Sequence, residues 1–336
     1  MNRQELQRIF QHFKSLKVLI IGDVMVDSYI FGKVERISPE APVPVVHVIS
    51  KEKRLGGAAN VARNIKALGA TPILSGTIGK DKDGDEFLLM LADEGLSISG
   101  MIRLDRPTTV KTRIIGNKHQ LLRVDEEVES PLNKAEATHF NDFVLNLLKK
   151  EQPNAVIFED YDKGLIDENL ISSVVKYCSE NKIQVAADPK SKNFMHYKGV
   201  DLFKPNLKEI NEGLKTEVDA SSDESIKQAD QALRQQLKHS LSLITLSEHG
   251  LVLTNGQEYY RIPAEEINIA DVSGAGDTVI STATLCLVSG IDPKSIAQIS
   301  NLAGASVCER VGVVPVNASE LFDNALIALT DSVNNE

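Results

Sequence analysis

Short apolar runs alternate with amphipathic stretches along most of the chain. Residues 17–22 are β-rich, 58–68 repeat apolar side chains at helical spacing, 72–78 are β-rich again, and 83–94 and 134–150 read as helices, the second with a polar outer face. Further apolar runs of strand length lie at 155–159, 184–187, 202–204 and 241–246, with helical patterns at 168–181 and 224–238 between them. Strands that are apolar throughout and separated by helices predict an α/β fold, a doubly wound, mostly parallel sheet covered on both faces. The first part of the chain breaks this rhythm. Residues 42–49 alternate Val and Pro with no helix behind them, and 101–104, 109–115 and 120–124 read as strands without crossover helices. These pieces are expected to pair as a small antiparallel β-sheet, with lid strands from about 28–50 and 101–125. Open α/β sheets bind ligands beyond the carboxyl ends of their strands, so such a lid would close on that edge. With no internal repeat and no Gly/Ser linker, a single domain over 1–336 is expected.

Composition fits a folded globular chain: 336 residues, 42% hydrophobic and 25% charged. A net charge of −10 and a pI near 5.3 disfavour nucleic acid or an anionic membrane as partner, since both require a basic surface. Small anions must then be held by local positive groups. The polar, helical start offers no secretory signal and no apolar run approaches a membrane span, so a cytoplasmic protein is expected. Cys178, Cys286 and Cys308 are widely spaced in apolar helical contexts and read as reduced core thiols. No H-x-x-x-H or C-x-x-C spacing suggests a structural zinc.

Candidate chemistry concentrates in glycine-rich turns. Asp271-Val-Ser-Gly-Ala-Gly-Asp277 precedes the apolar run 278–288, so Gly274, Ala275 and Gly276 can bare backbone N–H groups at a helix start with the Asp277 carboxylate beside them. Bare amides attract phosphate, and a carboxylate next to a bound phosphate can take the proton of an attacking hydroxyl. Ordinary helix capping would use the same residues. Gly56-Gly57-Ala58-Ala59-Asn60 likewise lets a ligand lie against the backbone, with Asn60 offering a donor and an acceptor, a surface suited to a polyhydroxylated sugar; tight helix packing is the alternative. Asp23 and Asp27 follow the first strand and are expected to face the same crevice, although exposed loop acids would look alike. Two other phosphate-binding schemes are missing. Gly76-Thr-Ile-Gly79-Lys80-Asp81 has the wrong spacing for a Walker loop, and no G-x-G-x-x-G follows a strand.

Taken together, Gly56-Gly57-Ala58-Ala59-Asn60, the Gly79-x-Asp81-x-x-Gly84 turn, Asn206-Leu-Lys-Glu209 and Asp271–Asp277 resemble, in order and spacing, the ribokinase-like (PfkB) carbohydrate kinases, over nearly the whole chain. Within that family the segment Arg36-Ile-Ser-Pro-Glu-Ala-Pro-Val-Pro-Val-Val46, Gly22–Asp27 and Asp188-Pro-Lys190 are similar to the branch that phosphorylates heptose 7-phosphate in ADP-heptose synthesis. The resemblance implies a doubly wound ribokinase-like fold, ATP and Mg2+ as cosubstrate and cofactor, and a sugar phosphate as acceptor. It implies Asp277 as catalytic base and the Gly274, Ala275 and Gly276 amides as anion hole. Asn206 and Glu209 would organise magnesium through water, though the pair also reads as a helix capping box. Ser247, Gly250 and Asn301 would border the nucleotide, and Asp271 matches a position beside a monovalent cation, K+.

A sugar phosphate in an acidic protein needs cations. Arg36, Lys111, Arg113, Arg123, Lys163 and Lys190 lie in the lid or at strand ends, and two or three of them are expected to touch ligand, with Asp160 binding a hydroxyl or holding a lysine. Other sugars, or a non-catalytic nucleotide-binding role, remain open alternatives. No H-x-G-H element is present, so an adenylyltransferase step is expected from a separate polypeptide. The Val-Pro strand is expected to pair with its copy in a homodimer through the lid.

Overall fold

The computed structural model describes residues 1–334. A nine-stranded sheet runs in the order Tyr259–Ile262, Leu251–Thr254, Leu241–Thr245, Leu202–Phe203, Gln184–Asp188, Ala155–Glu159, Lys17–Gly22, Thr71–Gly79, Met101–Leu104. Seven strands are parallel, and the hairpin formed by the first two adds an antiparallel edge. Ala155–Glu159 is buried along its whole length, as its unbroken apolar run requires of a strand covered on both faces. Two apolar cores follow, one on each side of the sheet. One gathers Ile20, Ile157 and Leu243 under the helices Ala58–Ala67, Ala275–Val288 and Pro293–Cys308; the other gathers Leu19, Phe158 and Phe203 under Lys134–Glu151 and Glu168–Asn181. Cys178, Cys286 and Cys308 are buried free thiols within these layers. Among the described residues no helix is long and apolar enough to cross a membrane.

Register decides what emerges at the functional edge. Gly22 pairs with Glu159 across one parallel ladder and Glu159 with Asp188 across the next. The carboxyl ends of three central strands, carrying Asp23, Glu159, Asp160 and Asp188, therefore stand at one level.

A second sheet of four strands, in the order Pro44–Gly57, Val24–Ile37, Val110–Gly116, His119–Glu126, forms the appended layer. It differs from the expected lid in three respects. Val24–Ile37 pairs parallel with Val110–Gly116, so the sheet is mixed rather than antiparallel. Met101–Leu104 is absent from it and lies parallel to Thr71–Gly79 at the edge of the main sheet, because the helix Lys82–Asp93 is the crossover that was thought to be missing. Finally, the lid starts at Val24, which puts Asp27 inside a strand, and Pro44–Gly57 runs past the charged Lys51–Arg54 stretch straight into the helix that starts at Ala58. Gly57, at φ 59°, makes that junction in a conformation that a side chain would strain, and a Cβ there would strike the Asp23 carbonyl.

Away from the crevice, a buried polar cluster ties the helix Asp223–Leu237 to the hairpin. Arg234 donates to Asp230, the Ser240 carbonyl and the Thr254 carbonyl, and Ser242 donates to Asp230 while meeting His239 Nε2. Burial, reinforced by the Arg234 charge, pushes His239 down to about 3. The unfolded chain would protonate this imidazole near its ordinary 6.5 while the folded chain does not, so stability falls as pH drops below that value. Between pH 7 and pH 5 this group should cost about 2 kcal/mol. Urea unfolding of wild type and His239→Gln at the two pH values checks it: the variant should lose less stability by about that amount, and equal losses would refute the assignment.

Candidate active site

The helix Ala275–Val288 is buried along nearly its entire length and starts at Gly274, whose φ of 82° turns the chain into it. No side chain caps that end; the Ala275 amide turns back to the Val272 carbonyl at 3.3 Å, contrary to its expected place in the anion hole, while the Gly274 and Gly276 amides are left bare. A Cβ on Gly274 would come within 2.8 Å of Asn60 Nδ2, and the open side of Gly276 looks toward Lys204 Nζ and Asp188 Oδ2. Asp277, 5% exposed, stands in the first turn. Its Oδ2 accepts from Asn60 Nδ2 at 2.7 Å and its Oδ1 from the Tyr161 hydroxyl at 3.0 Å. Burial pushes this carboxyl up to about 6, with Asp188 adding to the rise and the Asn60 and Tyr161 hydrogen bonds opposing it. Asn60 Oδ1 has no hydrogen-bond partner, which leaves it available to a hydroxyl.

Behind Asp277 lies a cluster of buried charge. Lys204, 3% exposed, holds Asp188 Oδ2 at 2.8 Å, and Lys190 pairs with Glu209 and lies 3.7 Å from Asp188 Oδ1. Burial would drive both lysines toward neutrality, but Asp188 and Glu209 outweigh it and hold them charged. Burial raises Glu159 well above the ordinary carboxyl range, and the nearby Asp188 and Asp277 raise it further. Asn206 and Glu209 form a reciprocal capping box on the helix Leu207–Leu214, with Glu209 Oε2 taking the Asn206 amide and Oε1 taking Lys190. Both Glu209 oxygens are therefore already engaged.

A cavity of about 550 Å³ opens in front of these groups. Asn206, Ser247, Gly250, Asn301 and the 274–277 turn all line it, so the residues read as nucleotide-binding share one wall system with Asp277. Asn301 donates to the Pro263 carbonyl and to Glu265, which fixes the loop closing the cavity. Asp271 sits to one side, accepting from the Ser273 and Gly312 amides. Burial raises its carboxyl, but these bonds prevail and hold it below the ordinary range.

The expected acceptor residues are more dispersed. Asp23, 4% exposed, accepts the Tyr161 and Lys163 amides and is pushed up to about 7 by burial and the neighbouring Asp160. Asp27 pairs with Arg113, and a Cβ on Gly56 would collide with the Asp27 carboxylate. Lys111 is held by Asp125 and Glu127, Lys163 by Glu127 and Glu129, and Arg123 by Asp125, so these cations are neutralised by nearby acids rather than gathered on one point. Arg36 is exposed near the far end of its strand, opposite Val45. Asp160 serves the fold, since Tyr197, Asn193 and the Asp162 amide occupy its oxygens. The residues that sequence reasoning passed over are Glu159, Tyr161 and Lys204. The signal was present: a charged side chain closes two otherwise apolar runs, at 155–159 and 202–204.

Known proteins with this fold are plentiful. The fold superimposes on Escherichia coli phosphofructokinase-2 in complex with fructose-6-phosphate with a TM-score of 0.77, at 16% identity over 93% of this chain and 99% of that one. It also matches ribokinase from Thermotoga maritima, TM-score 0.67, at 17% identity over 92% of this chain and 99% of that one. In sequence the chain is 37% identical to the bifunctional protein HldE of Helicobacter pylori strain J99 over 306 residues, 91% of this chain and 65% of the relative. It is 36% identical to the bifunctional protein HldE of Methylobacillus flagellatus over 324 residues, 96% of this chain and 66% of that relative, so it spans just under two thirds of either. The model of the pfkB family carbohydrate kinases matches residues 15–319, and with the ribokinase-like fold around Asp277 this establishes that the chain belongs to the PfkB family of carbohydrate kinases.

Proposed function

We propose that this kinase transfers the γ-phosphoryl group of ATP to the anomeric hydroxyl of D-glycero-D-manno-heptose 7-phosphate, giving the 1,7-bisphosphate. The observation that carries phosphoryl transfer is Asp277 itself, a buried carboxylate held from both sides at an uncapped helix start, facing a cavity of nucleotide size. In this reading Asp277 withdraws the proton of the attacking hydroxyl as the bond to phosphorus forms. A base titrating near 6 is ionised at neutral pH yet still basic enough for the task. Asn60 and Tyr161 aim its lone pairs, and the bare Gly274 and Gly276 amides stabilise the charge that spreads over the equatorial oxygens. Ser247, Gly250 and Asn301 border the nucleotide. Asn206 and Glu209 would order the waters of a magnesium ion, which would supply positive charge against the nucleotide phosphates. Asp271 would border a potassium ion beside the amides.

The acceptor assignment is supported by the Arg36–Val46 segment, by Gly22–Asp27 and by Asp188-Pro-Lys190, which resemble the heptose-phosphate branch. Asp23, Asp27, Gly56, Gly57 and Asn60 would face the sugar. Among the lid and strand-end cations, Lys111, Arg113, Lys163 and Lys190 are half-buried and remain candidates for its phosphate, whereas the exposed Arg36 and Arg123 are weaker ones. Phosphorylation of heptose 7-phosphate, fructose 6-phosphate, ribose and a nucleoside should be compared for wild type and Asp277→Asn. Heptose 7-phosphate should be preferred, and the variant should keep its fold and ATP binding while losing roughly a thousandfold or more in turnover. Preference for another sugar would overturn the acceptor, and near-normal turnover by the variant would overturn the mechanism.

A homodimer through the lid is part of the same proposal. Large apolar side chains are exposed on both edge strands of the lid, Val48 and Ile49 on one and Leu122 and Val124 on the other, a surface that suits a self-complementary partner. The double variant Ile49→Lys with Leu122→Lys should sediment as a monomer where wild type sediments as a dimer. A monomeric wild type would end this part of the proposal.

A further inference from the structure

Glu159 is the one carboxylate of the catalytic crevice that the fold leaves without any partner. It is 1% exposed, and neither Oε1 nor Oε2 has a hydrogen bond. A buried carboxylate in that state is costly to hold unless something compensates it. Among the described residues, the nearby cations and hydroxyl are engaged elsewhere. Lys204 is committed to Asp188, Lys190 to Glu209, and the Tyr161 hydroxyl to Asp277. Asp188 Oδ1 also lacks a hydrogen bond. Glu159, Asp188 and Asp277 each offer an oxygen, and these oxygens lie within 4.8 Å of one another, a span that one small cation can bridge. The charge balance points the same way. Four buried or nearly buried carboxylates, Glu159, Asp188, Glu209 and Asp277, face only two ammonium groups, Lys190 and Lys204.

We infer that Glu159 and Asp188 directly ligate a divalent cation on the Asp277 side of the crevice, and that this site forms in the protein before any nucleotide arrives. An all-carboxylate set selects a hard ion, magnesium or manganese, over zinc. The position is separate from the capping box of Asn206 and Glu209, whose carboxylate oxygens are taken by an amide and by Lys190. Asp277 completes the far wall of the cluster, which puts the bound charge next to the group proposed as base. The use of the ion rests on the phosphoryl-transfer reading above; its binding does not.

Binding of Mn2+ alone, measured from the loss of the free-ion electron paramagnetic resonance signal, tests the site with neither sugar nor nucleotide present. Wild type should bind one ion per chain. Glu159→Gln keeps the shape of the side chain and removes the charge, and should weaken binding by about tenfold or more. Its metal-free melting temperature should be equal to or above that of wild type, because an uncompensated buried carboxylate is gone. Glu159→Ser serves as a second variant with the same expectation for Mn2+. No binding by wild type without nucleotide, or equal binding by the two variants and wild type, overturns the inference. If Mn2+ binds as expected while no sugar of the panel is phosphorylated, the kinase assignment falls and the metal site stands.

Discussion

Glu159 is paired with Gly22 on one side and Asp188 on the other, in ladders of six-residue and five-residue strands that are buried almost throughout. A shift of one residue in either ladder would turn every apolar side chain of a central strand to the opposite face and into the wrong core, so the register is fixed by packing on both sides of the sheet. Because the register is fixed, the strand ends are fixed too, and with them the level at which Asp23, Glu159 and Asp188 leave the sheet. The helix start at Gly274 is then set against that edge by a different part of the core, the contacts of Ala275–Val288 with Ala58–Ala67 and Pro293–Cys308. The crevice is thus assembled where strand register and helix packing meet, at Asp277.

Such an assembly concentrates like charges where water is scarce. Asp277, Asp23 and Glu159 all titrate above the ordinary carboxyl range, chiefly because burial penalises their ionised forms. The two lysines of the site stay charged only because their acidic neighbours outweigh the same penalty. The lid shows the opposite arrangement. Lys111 and, beside the lid, Lys163 are matched by Asp125, Glu127 and Glu129 in direct ion pairs. Sites poised for chemistry and surfaces built for solubility can be told apart here by whether charge is balanced locally.

Much of this was legible in the sequence, for reasons that can be named. The central strands are unbroken apolar runs, and the glycine turns at 56–57 and 274–276 stand where the backbone must bend or approach a ligand. The Met101–Leu104 strand was misassigned because its crossover helix, Lys82–Asp93, had been read as a separate feature. The end of Pro44–Gly57 was missed because its alternation is carried by lysine, glutamate and arginine on a half-exposed lid, where polarity hides the period of two. Asp160 was chosen over Glu159 although the two are adjacent. Which of two neighbouring acids points into the crevice depends on strand phase, and a single apolar run buried on both faces does not reveal phase.

The strand Pro44–Gly57 passes into the helix Ala58–Ala67 with no intervening loop, and the third residue of that helix is Asn60. A rigid strand joined directly to a rigid helix behaves as one bent lever whose short arm ends on the Asp277 carboxylate. With no slack at that junction, the place of the lid strand and the direction of the Asn60 hydrogen bond to Asp277 are set together.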